Sequence, residues 1–315
     1  MRREMAITAA MVKELREQTG AGMMDCKKAL NETNGNMEEA VEFLRKNGQL
    51  KAEKKAGRIA AEGLCTIVVK DDQTAAVVEV NSETDFVAKN ETFRDFVKAV
   101  AVQAVNSGAA DVDALMEEAW NEDPGKTVKD ALVEKVAVIG ENLKIRRFEK
   151  VVAEHGCLAT YVHGGGRIGV IVEADTDVVN DAVKEAMVNI AMQIAALNPG
   201  YITRDQISEE YIAHEKEILL AQIMNDPKES KKPEKVINGM IEGRVSKELK
   251  EICLMDQVYV KAVDGKQTVA KYLDEVSKAA GCTVKVKKFV RFETGEGLEK
   301  KQEDFAAEVA AQMNQ

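Results

Sequence analysis

The chain reads as an α+β protein built in modules: a small helical bundle, a core of two similar α+β halves, an antiparallel coiled-coil hairpin inserted in the second half, and a final helix. Three observations lead there. Apolar residues recur at helical spacing between Thr8 and Gly48. β-rich runs separated by turn residues begin near Ala60. Segment 151–198 resembles segment 60–106 at a constant offset of 92.

Residues 1–50 form the bundle, a three-helix docking module. Thr8 caps a first helix that turns Met11, Val12 and Leu15 inward. Thr19-Gly20-Ala21-Gly22 breaks it, and a second helix follows over Met23–Asn31 with Cys26 and Leu30 on one face. Asn36 caps the third helix and Glu39 completes a capping-box spacing. Ala40, Val41, Phe43 and Leu44 face inward, and Gly48 is expected to end the helix. Residues 51–59 read as a basic linker helix, with Lys51, Lys54, Lys55 and Arg58 on a solvated face.

Residues 60–150 form the first core half. Leu64–Val69 and Ala75–Val80 make a hairpin across Lys70-Asp71-Asp72-Gln73, and Phe93, Phe96, Val97, Val100 and Ala104 mark a helix. The second half, 151–203 and 256–300, repeats hairpin, Thr-Asp turn and helix. Thr84-Asp85-Phe86-Val87 matches Thr176-Asp177-Val178-Val179, and Asn106 matches Asn198. Within it, Gln257–Val260 and Thr283–Phe292 look like strands around a helix over 268–279. The insertion, 204–255, carries Ile207, Tyr211, Ile218, Leu219 and Ile223 on one helix. Ile237, Ile241, Val245, Leu249 and Ile252 line the other, across a Pro227–Pro233 break. Residues 301–315 form the last helix, with Phe305, Val309 and Met313 on one side.

Composition narrows the function. Apolar residues are 45% of the 315, ample for a sizeable core, but aromatics are only 4%, so that core rests on aliphatic residues. Lys plus Arg number 44 against 54 Asp plus Glu, a net charge of −10. Non-specific nucleic-acid binding needs the opposite balance. The charge suits a protein that meets another protein through a chosen patch. No run approaches the roughly 18–20 apolar residues of a membrane span. The Met1-Arg2-Arg3-Glu4-Met5 start lacks the apolar run of a signal peptide, and Met5 is an alternative start. Five scattered cysteines without a Cys-x-x-Cys fit reduced thiols in a cytoplasm.

The chemistry of a catalyst is missing from the motifs. The three histidines form no metal-ligand pair, and neither Gly-x-Ser-x-Gly nor a P-loop occurs. Gly164-Gly165-Gly166 is better read as a tight turn than as a phosphate cradle, because a strand follows it. That leaves His163 on an exposed hairpin tip. In Met23-Met24, one side chain is expected in the core and the other outside as a soft docking surface. In Thr84-Asp85-Phe86-Val87, the second half keeps Thr and Asp but replaces the ring by Val178. Thr84 and Asp85 therefore shape a turn, and Phe86 is the distinctive group, of the kind that anchors interfaces.

Thr19 through Leu30, Glu83-Thr84-Asp85-Phe86-Val87-Ala88, Ile139-Gly140-Glu141-Asn142, His163-Gly164 through Val170, and Arg291-Phe292-Glu293 with Gly295-Glu296-Gly297 resemble the motifs of bacterial elongation factor Ts across nearly the whole chain. Gly165 departs from the family's frequent Ala, and four residues precede the usual start. The resemblance implies a guanine-nucleotide exchange factor for the GTPase elongation factor Tu, with no cofactor, no metal and no chemistry of its own. It implies that residues 1–50 are a ubiquitin-associated-type (UBA-like) bundle whose Met23 and Met24 grip the GTPase domain, and that Asp85 and Phe86 intrude beside the nucleotide's magnesium site. Ile139, His163 and the last helix around Phe305 and Val309 would make the remaining contacts. Two rivals are a scaffold that binds without exchanging and, less favoured, a nucleotide-using enzyme. The hairpin also leaves a homodimer or a 2:2 complex open.

Overall fold

The computed structural model describes residues 7–299. The expectations for Phe305, Val309 and the last helix lie outside the described residues. The architecture is α+β.

Helices α1 (Ala9–Thr19), α2 (Met23–Glu32) and α3 (Met37–Lys55) form the N-terminal bundle. Thr8 accepts the Met11 N–H, and Gly20 closes α1 in the left-handed region. Val12, Leu15, Cys26, Ala29, Leu30 and Ala40 are its buried core. Asn36 caps α3, but the Glu39 carboxylate takes the Asn36 side-chain amide at 2.9 Å instead of the backbone N–H of a full capping box. Gly48 does not end α3. It is buried against Ala137 and Val133 of the later helix α7 (Val128–Ile139), and that packing carries the helix past one weak residue. The basic stretch is therefore largely the last turns of α3. It is also not merely solvated: Lys51 pairs with Asp25 at 2.9 Å, and Lys55 donates to the Gly140 carbonyl.

Strands β1 (Glu62–Asp71) and β2 (Thr74–Ser82) make the expected hairpin, across Asp72-Gln73. The short α4 (Asp85–Ala88) and the long α5 (Glu91–Asn106) follow. Residues between α5 and the next sheet strand lack a clean periodic signature. They form α6 (Val112–Glu117), a ribbon of β3 (Ala119–Trp120) and β4 (Asp123–Thr127), and α7. Trp120 tilts against Phe96 of α5 with ring centroids 5.9 Å apart, which pins the ribbon. β5 (Lys144–Val152) then completes an antiparallel sheet of order β1-β2-β5.

The second sheet has order β6-β7-β8, from β6 (Cys157–His163), β7 (Ile168–Asp175) and β8 (Lys285–Glu293). Helix α8 (Asp181–Leu197) covers its outer face as α5 covers the first. Cys65, Val77, Leu158, Ile171, Val290 and Phe292 fill the space between the two sheets. The order of layers is thus helix, sheet, sheet, helix, and the central strands are buried on both faces. That explains the unbroken apolar runs in β2 and β7.

The offset of 92 is an average. It holds for Thr84 and Thr176, whereas the helix caps Asn90 and Asn180 stand 90 apart, and the buried Glu79 and Glu173, each beside a bulge, stand 94 apart. The offset thus falls from 94 in the strands through 92 at the turn to 90 in the helices.

The insertion is an antiparallel pair, α9 (Glu209–Asn225) and α10 (Glu234–Ile252). Ile207, Ile223, Ile237, Ile241, Val245 and Leu249 form its seam, while Ile218 stands exposed, outside the expected stripe. α11 (Val269–Ala280) packs on α8. Gln257–Val260 is not a strand and makes one bridge, Val258 to Thr268. The backbone groups a ladder would use are taken by a side chain: the Gln193 carboxamide donates to the Val258 carbonyl and accepts the Val260 N–H.

Candidate functional site

The end of β2 passes from strand to helix at Thr84. Thr84 is extended and caps α4, its hydroxyl oxygen accepting the Val87 N–H at 3.4 Å. The Ser82 hydroxyl donates to the Thr84 carbonyl at 3.0 Å. A one-turn helix built this way points its first residues away from the core. Asp85 is exposed, and the Phe86 ring is 79% exposed, the most open aromatic or methionine side chain among the described residues. Val87 turns back and packs on the apolar core under α5. Thr84 thus shapes the turn, while Asp85 and Phe86 are both presented on its open side.

Lys89 closes over this turn. Its ammonium pairs with Asp85 at 2.7 Å and lies 5.9 Å from the centre of the Phe86 ring. Both partners are exposed, so the pair is weak and easily exchanged for other partners.

The turn is braced from α7. Gly140 closes that helix with φ 87, a conformation glycine adopts without cost, and the chain then delivers Glu141 and Asn142 beneath the turn. Glu141 Oε2 accepts the Glu83 and Thr84 N–H groups at 3.0 and 3.1 Å, and Oε1 accepts the Thr84 hydroxyl at 2.7 Å. In return Glu83 Oε1 accepts the Asn142 N–H at 2.6 Å. Lys55, bound to the Gly140 carbonyl, is pushed down from the ordinary lysine value by burial and by the nearby Arg58. Ile139 is half-buried and packs on the same core as Val87. It shares this corner with the Phe86 turn but is less open than an interface residue is expected to be.

His163 ends β6, exposed, with Nδ1 3.0 Å from the Tyr161 hydroxyl. Its three glycines all have positive φ, as a tight turn demands, and Gly166 docks on β1, its carbonyl accepting the Cys65 N–H at 2.6 Å. β1 begins at Glu62, opposite Ser82. The glycine turn after His163 thus meets the half of β1 that pairs with the end of β2 leading into Thr84. Met23 and Met24 sit on a different module, at the start of α2. Both are exposed, at 59% and 75%, so neither is the core residue expected of one of them. α2 already fills its inner face with Cys26, Ala29 and Leu30, which leaves its first turn outside.

Sequence reasoning missed Glu141 and Lys89 as site residues. Glu141 stands in the Ile139-Gly140-Glu141-Asn142 motif, but which of its neighbours it braces depends on α7 ending beside β2. Lys89 is four residues from Asp85, a spacing that signals a helical ion pair only once the turn is known to be helical. The five cysteines are free; burial pushes the Cys65 thiol up to about 12, which leaves it unreactive. No group of three or more metal-binding side chains and no membrane-spanning helix occurs among the described residues.

The family model for elongation factor Ts matches residues 83–296. The chain belongs to the elongation factor Ts family. Elongation factor Ts of Clostridium novyi is 53% identical over 310 residues, covering 98% of this chain and 99% of the relative. That of Clostridioides difficile is 53% identical over 308 residues, and that of Clostridium tetani 50%, each with 98% and 99% coverage. Glu83 through Glu296 is thus the part that carries the family's signature, and it runs from the turn of Phe86 to the segment after β8. Relatives align with the N-terminal bundle as well, so Met23 and Met24 fall inside the shared length.

Proposed function

We propose that this protein is a translation elongation factor of the Ts type that binds elongation factor Tu carrying GDP, speeds GDP release and leaves the site for GTP. Family membership supports the activity, and one structural observation carries the mechanism: the Phe86 ring stands almost bare on a braced turn. A factor that prefers the empty GTPase must weaken nucleotide binding by the same ratio. Burying one Phe side chain contributes about 1.5–3 kcal/mol, and about 1.4 kcal/mol is tenfold in affinity. Phe86 alone thus accounts for roughly ten- to a hundredfold, and the rest falls to a spread interface.

In this reading Phe86 wedges beside the magnesium and phosphate site, and Asp85 adds a carboxylate there once Lys89 has released it. Met23 and Met24 grip the GTPase domain with soft, adaptable side chains. Ile139 and His163, and Phe305 and Val309 beyond the described residues, complete the contact. The chain performs no bond-making chemistry and needs no cofactor.

The bundle is read as UBA-like, followed by the basic linker and two halves of one ancestral α+β unit. The matching helix caps and the paired Glu79 and Glu173 support that origin. The coiled-coil hairpin is an arm for a second copy or for the GTPase. Its exposed Leu220, Met224 and Val236 favour a contact of some kind and keep a scaffold role alive beside exchange.

The test is to load elongation factor Tu with fluorescent GDP, add excess unlabelled GDP, and follow release with and without this chain. Acceleration supports exchange. Binding without acceleration leaves the scaffold, and hydrolysis by this chain alone indicates an enzyme.

A further inference from the structure

Resting on the exchange reading, we propose that Glu141 is the positioning residue of the wedge: its three hydrogen bonds set the angle at which the Thr84–Val87 turn presents Phe86.

α4 is one helical turn, too short to hold its own shape. Its capping group is the Thr84 hydroxyl, which has one proton and two lone pairs. Glu141 Oε1 takes that proton at 2.7 Å, which leaves the lone pairs for the Val87 N–H. Without that acceptor the proton is free to turn towards the helix and compete with the cap. Glu141 Oε2 also fixes the backbone just before the helix by accepting two N–H groups. Hydrogen bonds to a carboxylate are among the stronger ones. Glu141 is itself rigidly mounted, between the Gly140 cap of α7 and the Asn142 bond to Glu83. α7 is tied in turn to the bundle by Arg45 and Asp130 at 2.9 Å.

The other half supplies the comparison. The Thr176 hydroxyl is bonded to Val178 and lies 3.3 Å from Cys282 Sγ. Among the described residues no carboxylate bonds it. The cradle lies under the turn that carries the large ring and not under the turn that carries Val178. Phe86 touches too little of its own protein to be held by packing, so its direction rests on the backbone below it.

Release of fluorescent GDP from elongation factor Tu is measured against concentration of the full chain, giving a saturating rate and a half-saturating concentration. Glu141→Ala is expected to lower the saturating rate about tenfold, the equivalent of about 1.4 kcal/mol, with little change in half-saturation. Glu141→Gln keeps the size and one acceptor oxygen, and is expected to fall between; it serves if the alanine variant melts early. Combined with Phe86→Ala, either change is expected to add less than about twofold, because groups that act through one another are not additive. Wild-type rates in both Glu141 variants, or losses that multiply in the double variants, overturn the proposal. Failure of the unaltered chain to accelerate release overturns the exchange reading itself, and is distinguishable because no variant is involved.

Discussion

Gln103 and Gln193 make the same hydrogen bonds in the two halves of the core. The Gln103 carboxamide donates to the Ala119 carbonyl and accepts the Asn121 N–H. Gln193 donates to Val258 and accepts from Val260. Both are buried on the helix that covers their sheet. Gln193 thereby satisfies a length of irregular chain, and Gln103 the free side of the short β3–β4 ribbon. Replacing either by Leu is expected to destabilise the protein by about 1–3 kcal/mol, since it strands buried backbone groups. Urea denaturation of each variant checks this, and a neutral Gln193→Leu would mean that water substitutes for the amide.

Phe86→Ala is expected to slow exchange by roughly ten- to a hundredfold, in line with the burial of one aromatic side chain. Val178→Ala, at the matching turn of the second half, is expected to leave exchange within about twofold at equal folding. Equal losses in the two variants would make the halves functionally equivalent.

Met23→Ala with Met24→Ala is expected to raise the concentration of chain needed for half-maximal exchange by about tenfold, while melting stays near wild type, because neither side chain is in the core. A fall in melting temperature instead would return one of them to a packing role.

Glu79 is fully buried between the sheets. Burial raises its carboxyl, but the Gly295 N–H, the Asn81 amide and the Arg146 and Arg147 guanidinium groups outweigh this and hold it below the ordinary value. A lowered carboxyl contributes stability above the unfolded-state value near 4.5, and that contribution is lost as pH falls through the folded value. Glu79→Gln is expected to cost roughly 3 kcal/mol at neutral pH and to flatten the acid limb of stability. Thermal melts from neutral to acidic pH show both effects or neither.

His155 lies 2.8 Å from Asp175 and 3.3 Å from Asp177. The hydrogen bond to Asp175 raises its pKa above the ordinary 6.5, with Asp177 adding to it. A raised histidine contributes below 6.5 and loses that contribution as pH rises through its folded value. NMR titration of the imidazole is expected to show the raised midpoint, and Asp175→Asn to lower it. An unchanged midpoint in that variant would remove the carboxylate as the cause.

Sequence alone determined the elements whose signal is local. Caps at Thr8 and Asn36 are set by side chains reaching three residues along the chain, and the strands of the hairpins by runs of β-branched residues. Phe86 stood out because the matching turn carries only Val178. What the tertiary structure decided depends on contacts between residues far apart in the chain. α3 passes Gly48 because α7 packs against it. Gln257–Val260 is no strand because Gln193 holds its backbone. Both methionines are outside because α2 had already filled its core face. Glu141 comes to brace the Thr84 turn only where the end of α7 meets the end of β2, 57 residues from Thr84. Local propensity has no term for such a meeting; it is set by which surfaces pack together, and burial chooses those over the whole chain at once.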